Sequence, residues 1–533
     1  MVSRHDDAIR PAGSGCTPRR PGRAALGVER SFMSAADDLI TLCARALSRA
    51  PSTEAILYEG RWWDWGAMRR TADQLAQLIA ASGADRAAPV AFVARSRPSA
   101  IAALLGLIAD RRTVRMIYAF QSPTAIARDI ARLEPAVVVA APEDMTAEVR
   151  AVLADKGIAA ISIGDAETAA VAGFERARTR PPAEPQGDPR IEILTSGTTG
   201  TPKPFAVTYE MIGAHLVRAG DALANPDDRA DEPPALLYFP LGNISGLYTT
   251  LPSLLRGQRA VLLDRFSIEA WRDYVVRFRP AHSGFPPASV QMMLDADIPA
   301  EDLASIKTMG FGAAPLDPTV HRAFEARYGI PVLLSYGATE FGGPVVMMTA
   351  ELHAKYGQAK FGSVGQPFGG AQMRIVDPET GEVLPAGREG LLEIISPRIG
   401  PDWIHTADIG IIDKDGFLFL RGRADGAIVR GGFKILPETV ERALLLHPAV
   451  TAACVVALAD RRLGQTPGAA IQRSPSSEAP TSAALEAHLR EHVPATHIPV
   501  AWRFVDELPK NPSMKIDRPA VARLFEQPAA QPL

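Results

Sequence analysis

Cysteine is scarce in this chain. The three cysteines among 533 residues, Cys16, Cys43 and Cys454, lie far apart and have no metal-ligand spacing. That argues against a disulfide framework and a cysteine-rich zinc site, and it fits a reducing, cytoplasmic compartment. No uninterrupted apolar run reaches the roughly 20 residues that a bilayer-spanning helix needs. An excess of one charge is also missing: 57 Lys and Arg against 60 Asp and Glu leave a net charge of -3, which gives no reason to expect nucleic acid or an anionic membrane as partner. No internal repeat of fixed period is visible. The first 32 residues have little apolar periodicity. They carry Arg4, Arg10, Arg19, Arg20, Arg23 and Arg30 among Pro and Gly, without the apolar centre of a secretory signal. Asp6, Asp7 and Glu29 speak against a transit peptide. Residues 1–33 are therefore expected to be a disordered extension, with structure starting near Ser34 and Met33 as a candidate initiator.

The rest is ordinary soluble protein, 47% hydrophobic and 22% charged, and too long for one core. Helical periodicity over 34–50, 66–82 and 98–109 alternates with short apolar runs at 55–58, 90–93 and 137–139. This predicts parallel α/β layers. A Pro-rich stretch, 180–189, reads as a linker. Further strands are expected at 235–239, 261–263 and 308–312. After about residue 365 the texture changes to hairpins at 372–376, 390–394 and 409–420, the last broken by Asp415-Gly416, a tight-turn signal. Beyond Arg423 a strand–helix pattern follows, with helices at 437–446 and 481–491 and strands at 451–458 and 501–506. The expected architecture is a large α/β domain, 34–422, with layered sheets and a β-rich subdomain, and a small α+β domain, 423–533.

One stretch carries the strongest chemical signal. An extended run, Ile191 to Leu194, enters Thr195-Ser196-Gly197-Thr198-Thr199-Gly200-Thr201-Pro202-Lys203-Pro204. Glycines allow close backbone approach, hydroxyls and free N–H groups donate hydrogen bonds, and the lysine adds positive charge, a combination that suits a polyphosphate. It is not a Walker loop, because Pro202 precedes Lys203 and Pro204 follows it, so no hydroxyl is placed to hold magnesium. A second segment can supply the missing ligand. In Ser335-Tyr336-Gly337-Ala338-Thr339-Glu340 the glutamate can take magnesium directly or through water. A third, His405-Thr406-Ala407-Asp408, offers a carboxylate that can accept both hydroxyl protons of a ribose diol. A fourth is Gly422-Arg423-Ala424-Asp425-Gly426, followed by Gly431-Gly432-Phe433-Lys434. The fifth is Pro509-Lys510-Asn511-Pro512-Ser513-Met514-Lys515-Ile516-Asp517-Arg518 near the end.

Taken in order, these five segments resemble the adenylate-forming superfamily of acyl- and aryl-CoA synthetases, firefly luciferase and nonribosomal peptide adenylation domains. The resemblance spans roughly residues 34–525. It implies a phosphate loop at Thr195 to Gly200 and Lys203, and adenine held by Gly312, Ala313, Ala314 and Tyr336. Thr339 would contact phosphate, Glu340 would bind magnesium, and Asp408 and Arg423 would hold ribose or phosphate. Asp425 would be the hinge of a mobile small domain, and Gly431 and Gly432 would line a pantetheine tunnel. Lys515 would be the catalytic lysine, neutralising charge where the carboxylate meets the α-phosphate.

There are departures from the family pattern. Ala407 replaces a glycine, Met514 replaces the glycine before the lysine, Gly426 stands where a second acidic residue is frequent, and Asn243 stands where many relatives have His. Asn243, Gly337 and Ala338 are expected at the acyl pocket. Acetate-specific relatives have Trp where Gly337 stands, so the glycine implies an acid larger than acetate. Phe239, Phe285 and Phe311 are pocket or core. The resemblance implies ATP, Mg2+ and coenzyme A as cofactor and substrates, and an ATP-dependent acyl-CoA ligase for a fatty, aromatic or polycyclic acid. Loading of an acyl carrier protein, adenylate-only chemistry and a non-catalytic nucleotide-binding homologue stay open.

Overall fold

The segments Val90–Ala94, Pro98–Ala109 and Val114–Tyr118 show how the chain builds its largest layer. All five residues of the first strand are buried, as expected of a parallel strand covered on both faces. Pro98 opens the helix where its missing N–H has no partner to lose. The next strand returns parallel to the first, with Phe92 opposite Met116. The computed structural model describes residues 34–178, 187–195, 203–430, 433–460, 463–473, 480–511 and 515–526. In it this unit grows into a seven-stranded sheet. The order is Thr168–Ala170, Ala159–Ile163, Val137–Ala140, Val90–Ala94, Val114–Tyr118, Arg190–Thr195, Lys203–Thr208. The five inner strands are parallel and both edge strands antiparallel.

Two further sheets stand in the same α/β region. One has four strands, with Glu54–Tyr58 between Ala260–Leu262 and Arg61–Asp64. The other has five: His282–Gly284, Thr308–Phe311 and Val332–Ala338 run parallel, and Gly343–Met347 and Gln366–Pro367 complete it antiparallel. An aromatic core fills the space beside the five-stranded sheet. Phe285 packs edge-on against Phe311 at 5.2 Å and against Trp271 at 5.0 Å, and the Trp271 indole N–H donates to Ser283 Oγ at 3.0 Å. Phe285 and Phe311 are 1% and 3% exposed, so both are core rather than pocket wall.

The hairpins expected after residue 365 form a four-stranded antiparallel sheet, Gln372–Val376, Glu389–Ile395, Ile404–Ile412 and Leu418–Arg423. The final segment packs Pro437–Leu445 and Ser482–His492 on a sheet led by the long pair Val450–Asp460 and Gly464–Arg473. The layered α/β plan with a β-rich portion and a smaller α+β portion is therefore present. Several elements escape the sequence reading, among them the Gly464–Arg473 strand and the helices Ile244–Leu255, Ile268–Phe278 and Pro318–Tyr328. The linker at 180–189 and the extension at 1–33 fall largely or wholly outside the described residues. Among those described, no helix is long and apolar enough to cross a membrane.

One contact sets the start of the strand that leads into Tyr336. Glu325 of the Pro318–Tyr328 helix accepts the Val332 N–H at 2.8 Å and faces His353 Nε2 at 3.0 Å and His321 Nε2 at 3.3 Å. Burial alone would raise its pKa. The close approach of His321 and the hydrogen bonds with Val332 and His353 outweigh that and bring it down to about 2. A carboxyl depressed on folding contributes stability above its unfolded pKa and loses it as pH falls towards the folded value. Glu325→Gln is expected to cost about 1.5–3 kcal/mol near neutral pH. Thermal unfolding should show that deficit at pH 7, and it should shrink as the pH falls from about 4.5 towards about 2.

Candidate active site

The Arg190–Thr195 strand and its return, Lys203–Thr208, form a hairpin in which Thr195 pairs with Lys203. The expected phosphate loop is thus the tip of a hairpin, unlike the strand-to-helix turn of a Walker motif. Ser196, Gly197, Thr198, Thr199 and Gly200 lie outside the described residues, as do the side chains of Thr195 and Lys203. The return strand ends at Thr208 and passes into the short helix Tyr209–Met211, where the Met211 Sδ would lie 3.5 Å from a Cβ placed on Gly342. The hairpin's exit therefore lies against the turn that carries Thr339 and Glu340.

That turn, Thr339–Phe341, follows the Val332–Ala338 strand directly. The exit from the Glu389–Ile395 strand pins it in place. Ser396 Oγ donates to the Phe341 carbonyl at 2.7 Å, and Arg398 Nη1 donates to the carbonyls of Gly342 and Pro344 at 3.1 and 2.8 Å. Glu340 is exposed and has no hydrogen-bond or ion-pair partner among the described residues. An unpaired carboxylate fits magnesium, which takes oxygen ligands and keeps several waters.

Three nucleotide candidates meet across the sheets. The Tyr336 hydroxyl donates to Asp408 Oδ2 at 2.5 Å, and Arg423 Nη1 donates to Asp408 Oδ1 at 3.3 Å. Arg423 and Asp408 face each other across the last antiparallel pair. Arg423 also forks onto Asp425, with Nε and Nη2 at 2.9 and 2.6 Å. Burial first, and the charge of Asp408 next, push the Tyr336 phenol far up, so it stays a donor. The hydrogen bond to Asp425, then the neighbouring carboxylates, raise Arg423 further. Asp408 itself is oriented by its N–H, which donates to Thr406 Oγ1 at 3.0 Å, while that hydroxyl donates to the Leu392 carbonyl at 2.7 Å.

The small residues beside Tyr336 have a packing reason. A Cβ on Gly312 would stand 2.5 Å from Ser335 Oγ. The following Ala313 is held at φ 64°, a left-handed conformation that costs a non-glycine residue roughly 1–2 kcal/mol and that clusters at functional sites. Gly337 is tighter still: an added Cβ would lie 2.5 Å from both the Gly343 carbonyl and Pro344 Cα. The glycine is therefore required by the close antiparallel pairing of two strands, where it stands opposite Pro344, and an acyl group is not needed to explain it. Asn243 is likewise engaged, since its Oδ1 caps the Ile244–Leu255 helix by accepting the Gly246 N–H at 2.8 Å. Ala338 is half-buried just before the Thr339 turn.

Among the described residues, no hydrogen bond joins Lys515 to these groups. Its backbone exchanges hydrogen bonds with Asn511, the Lys515 N–H to Asn511 Oδ1 at 3.0 Å and the Asn511 N–H to the Lys515 carbonyl at 2.7 Å. The residue is exposed, and desolvation lowers the pKa of its ammonium. Gly431 and Gly432 lie outside the described residues. Sequence reasoning missed the Ser396 and Arg398 clamp and the Met211 contact. Nothing marks Ser396-Pro397-Arg398 in the chain except its position after an apolar strand.

Comparison with known proteins identifies the family. The profile of the AMP-binding enzyme family matches residues 43–401, and that of the AMP-binding enzyme C-terminal domain matches residues 439–515. The chain belongs to the AMP-binding enzyme family, as an AMP-forming ligase of the acyl-CoA synthetase type. It is 29% identical to a sulfoacetate–CoA ligase of Cupriavidus necator, over 90% of this chain and 97% of that protein. It is 25% identical to the fatty acid–[acyl-carrier-protein] ligase ScoC of Streptomyces coeruleorubidus, over 88% and 92%. ATP-bound MatB from Rhodopseudomonas palustris shares the fold, with a TM-score of 0.76 at 21% identity over 93% of this chain and 99% of that one.

The packing explanation of Gly337 can be tested. Gly337→Ala is expected to cost about 1–3 kcal/mol through overpacking. It should lower the thermal midpoint and reduce turnover of every acid alike. A changed acid preference at unchanged stability would return the residue to the acyl pocket.

Proposed function

We propose that the protein activates a carboxylic acid larger than acetate as its acyl-AMP and then transfers the acyl group to the thiol of coenzyme A. The observation that carries this reading is the Tyr336–Asp408–Arg423 constellation, standing beside the Thr339–Glu340 turn. The small domain, 423–533, would turn about Asp425 relative to 34–422.

In the first half-reaction a carboxylate oxygen attacks the α-phosphorus of ATP. The new P–O bond forms as the bond to the pyrophosphate oxygen breaks. Asp408 accepts from the ribose hydroxyls, and Tyr336, with Gly312, Ala313 and Ala314, bounds the adenine. The hairpin tip, Thr195 to Gly200 with Lys203, receives the phosphates by N–H and hydroxyl donation, and Thr339 adds a hydroxyl. Glu340 would hold magnesium, which supplies charge neutralisation on the phosphates. Lys515 brings an ammonium to the charge that develops at the α-phosphate. In the second half-reaction the thiol sulfur attacks the acyl carbon, AMP leaves as the anion, and the thiol proton passes to solvent. Gly431 and Gly432 would border the pantetheine path.

Fatty, aromatic and polycyclic acids are the classes to assay. Whatever the packing reason for the glycine, neither Gly337 nor Ala338 puts a bulky side chain at this point, and that leaves room for an acid larger than acetate. A second reading, delivery to an acyl carrier protein, is supported by the similarity to ScoC along most of the chain.

Pyrophosphate release with ATP, magnesium and a panel of acids tests the reading, with coenzyme A, with an acyl carrier protein, and with neither. Release with CoA thioester formation is expected. Thioester only on the carrier protein would favour the second reading, and no release with any acid would refute both. Lys515→Ala should slow acyl-AMP formation about 100-fold or more, and full retention would remove the lysine from the mechanism.

The direction of the Lys515 pKa gives a separate expectation. Lysine acts here as the cation, which is present below its pKa and lost above it. Because burial lowers that pKa, kcat/KM for acyl-AMP formation should fall on the alkaline side earlier than an ordinary lysine would dictate. Lys515→Arg should move this limb to higher pH.

A further inference from the structure

Arg518 is not used by the mechanism above, yet it makes one of the densest sets of polar contacts in the C-terminal region. Its guanidinium forks onto Glu441, Nη1 to Oε1 at 2.7 Å and Nη2 to Oε2 at 2.9 Å. Nη2 also reaches Glu438 Oε1 at 3.2 Å, and Nη1 reaches the Val455 carbonyl at 2.7 Å. Glu441 closes the group by accepting the Val455 N–H at 2.7 Å. Two glutamates one helical turn apart on Pro437–Leu445 thus grip one arginine from the end of the chain. Such planar, bidentate pairing fixes direction as well as distance.

The two sides of this grip lead to different places. On one side, Arg518 is the first residue of the Arg518–Arg523 helix and lies three residues beyond Lys515. Asp517 caps that helix through the Ala520 N–H at 2.9 Å, and its own N–H donates to the Pro509 carbonyl at 2.8 Å. Lys510 and Ile516 form a bridge, and Lys515 is bonded to Asn511 on both backbone groups. The base of the lysine loop is therefore tied to Arg518 through short, hydrogen-bonded steps. On the other side, Glu438 presses on the end of the Leu418–Arg423 strand. A Cβ on Gly422 would be 2.6 Å from Glu438 Oε2, and that oxygen is buried without a hydrogen-bond partner among the described residues. Arg442, one turn further along the helix, donates to the Arg421 carbonyl at 3.4 Å. Gly422 directly precedes Arg423, which holds Asp408 and Asp425.

We propose that Arg518 is a positioning residue for acyl-AMP formation. Its fork on Glu441 and Glu438 makes the Lys515 loop and the helix docked on Gly422 a single rigid piece. Lys515 is then aimed by the same contact that seats the small domain beside Asp408 and Arg423. This rests on the acid-activating function proposed above, in which Lys515 serves the first half-reaction and not the second. A residue that only held the small domain together would affect both.

The test separates the half-reactions. Acyl-AMP formation is measured in a single turnover with ATP and an accepted acid. Thioester formation is measured from chemically prepared acyl-AMP and coenzyme A. Arg518→Gln is expected to slow the first about 10–100-fold, the scale of a misplaced catalytic group, and to leave the second within about twofold. Arg518→Lys should fall between, because an ammonium cannot form the fork. Glu438→Gln keeps the Glu441 fork and so guards against a simple folding failure; it should show the same split, more weakly. The decisive measurement is the double variant Arg518→Gln with Lys515→Ala. If Arg518 acts through Lys515, the double variant is as slow as Lys515→Ala alone. Equal loss in both half-reactions, no loss in either, or an added loss in the double variant would each overturn the proposal. A wild-type protein that makes no acyl-AMP with any acid would instead refute the underlying function, and that outcome is read before any variant is compared.

Discussion

The site depends on one guanidinium shared between two carboxylates. Arg423 closes the last strand of the antiparallel sheet, faces Asp408 across that sheet, and forks onto Asp425 in the turn that follows. Asp408 in turn takes the Tyr336 hydroxyl from the five-stranded sheet. Two sheets and the chain's entry into its last α+β portion are joined through these four side chains. Arg423 is half exposed, so its ion pairs contribute modest stability. Their value is directional. A planar fork committed to Asp425 leaves Nη1 for Asp408, and Asp408 then has one oxygen on a phenol and one on a cation. Each of those oxygens has lone-pair capacity left for a diol.

The neighbouring backbone is organised by close approach. Gly312 fits against Ser335 and Gly337 against the Gly343–Pro344 backbone, and Ala313 accepts a left-handed conformation between them. The carbonyls of Phe341, Gly342 and Pro344 are each capped by Ser396 or Arg398. The loop that presents Glu340 is therefore held from beneath by its backbone, while the carboxylate above it has no protein partner. A carboxylate that was to meet a solvated metal, as proposed for Glu340, would be well presented this way, since a protein ion pair would have to be broken first.

Much of this was legible in the chain, for different reasons in different places. Buried parallel strands such as Val90–Ala94 read as continuous apolar runs, and hairpins announced themselves by Asp415-Gly416 and alternation. Gly464–Arg473 was not legible: it opens with polar residues, holds Pro467 and shows no alternation, yet it pairs along Val450–Asp460 on one side and Ala501–Val505 on the other. The Ile244–Leu255 helix was hidden because its start, Asn243, looked like a binding residue; the same side chain is its cap. Tyr336, Asp408 and Arg423 came from motif order, and the structure joins them by hydrogen bonds. Gly337 has a packing reason that could not be read from the chain, because sequence shows that a side chain is missing but not what occupies its space. Arg518 could not be singled out either, since a lone arginine near the C-terminus has no pattern until Glu438 and Glu441 are seen beside it.

The position of Lys515 in the chain has a physical sense if acid activation and thiol transfer alternate at one site. A cation that must be present for one step and absent for the next cannot sit on the sheet that holds the nucleotide. It has to ride on a separate piece whose contacts with that sheet are few and polar, as interfaces that move are. Around the end of the Leu418–Arg423 strand the contacts fit that description: Glu438 against Gly422, and one long hydrogen bond from Arg442 to the Arg421 carbonyl. Inside the piece the opposite holds, with Arg518, Glu441, Glu438 and Val455 bound closely to one another. Loose docking outside and tight bonding inside are what allow a domain to swing without losing the aim of the residue it carries.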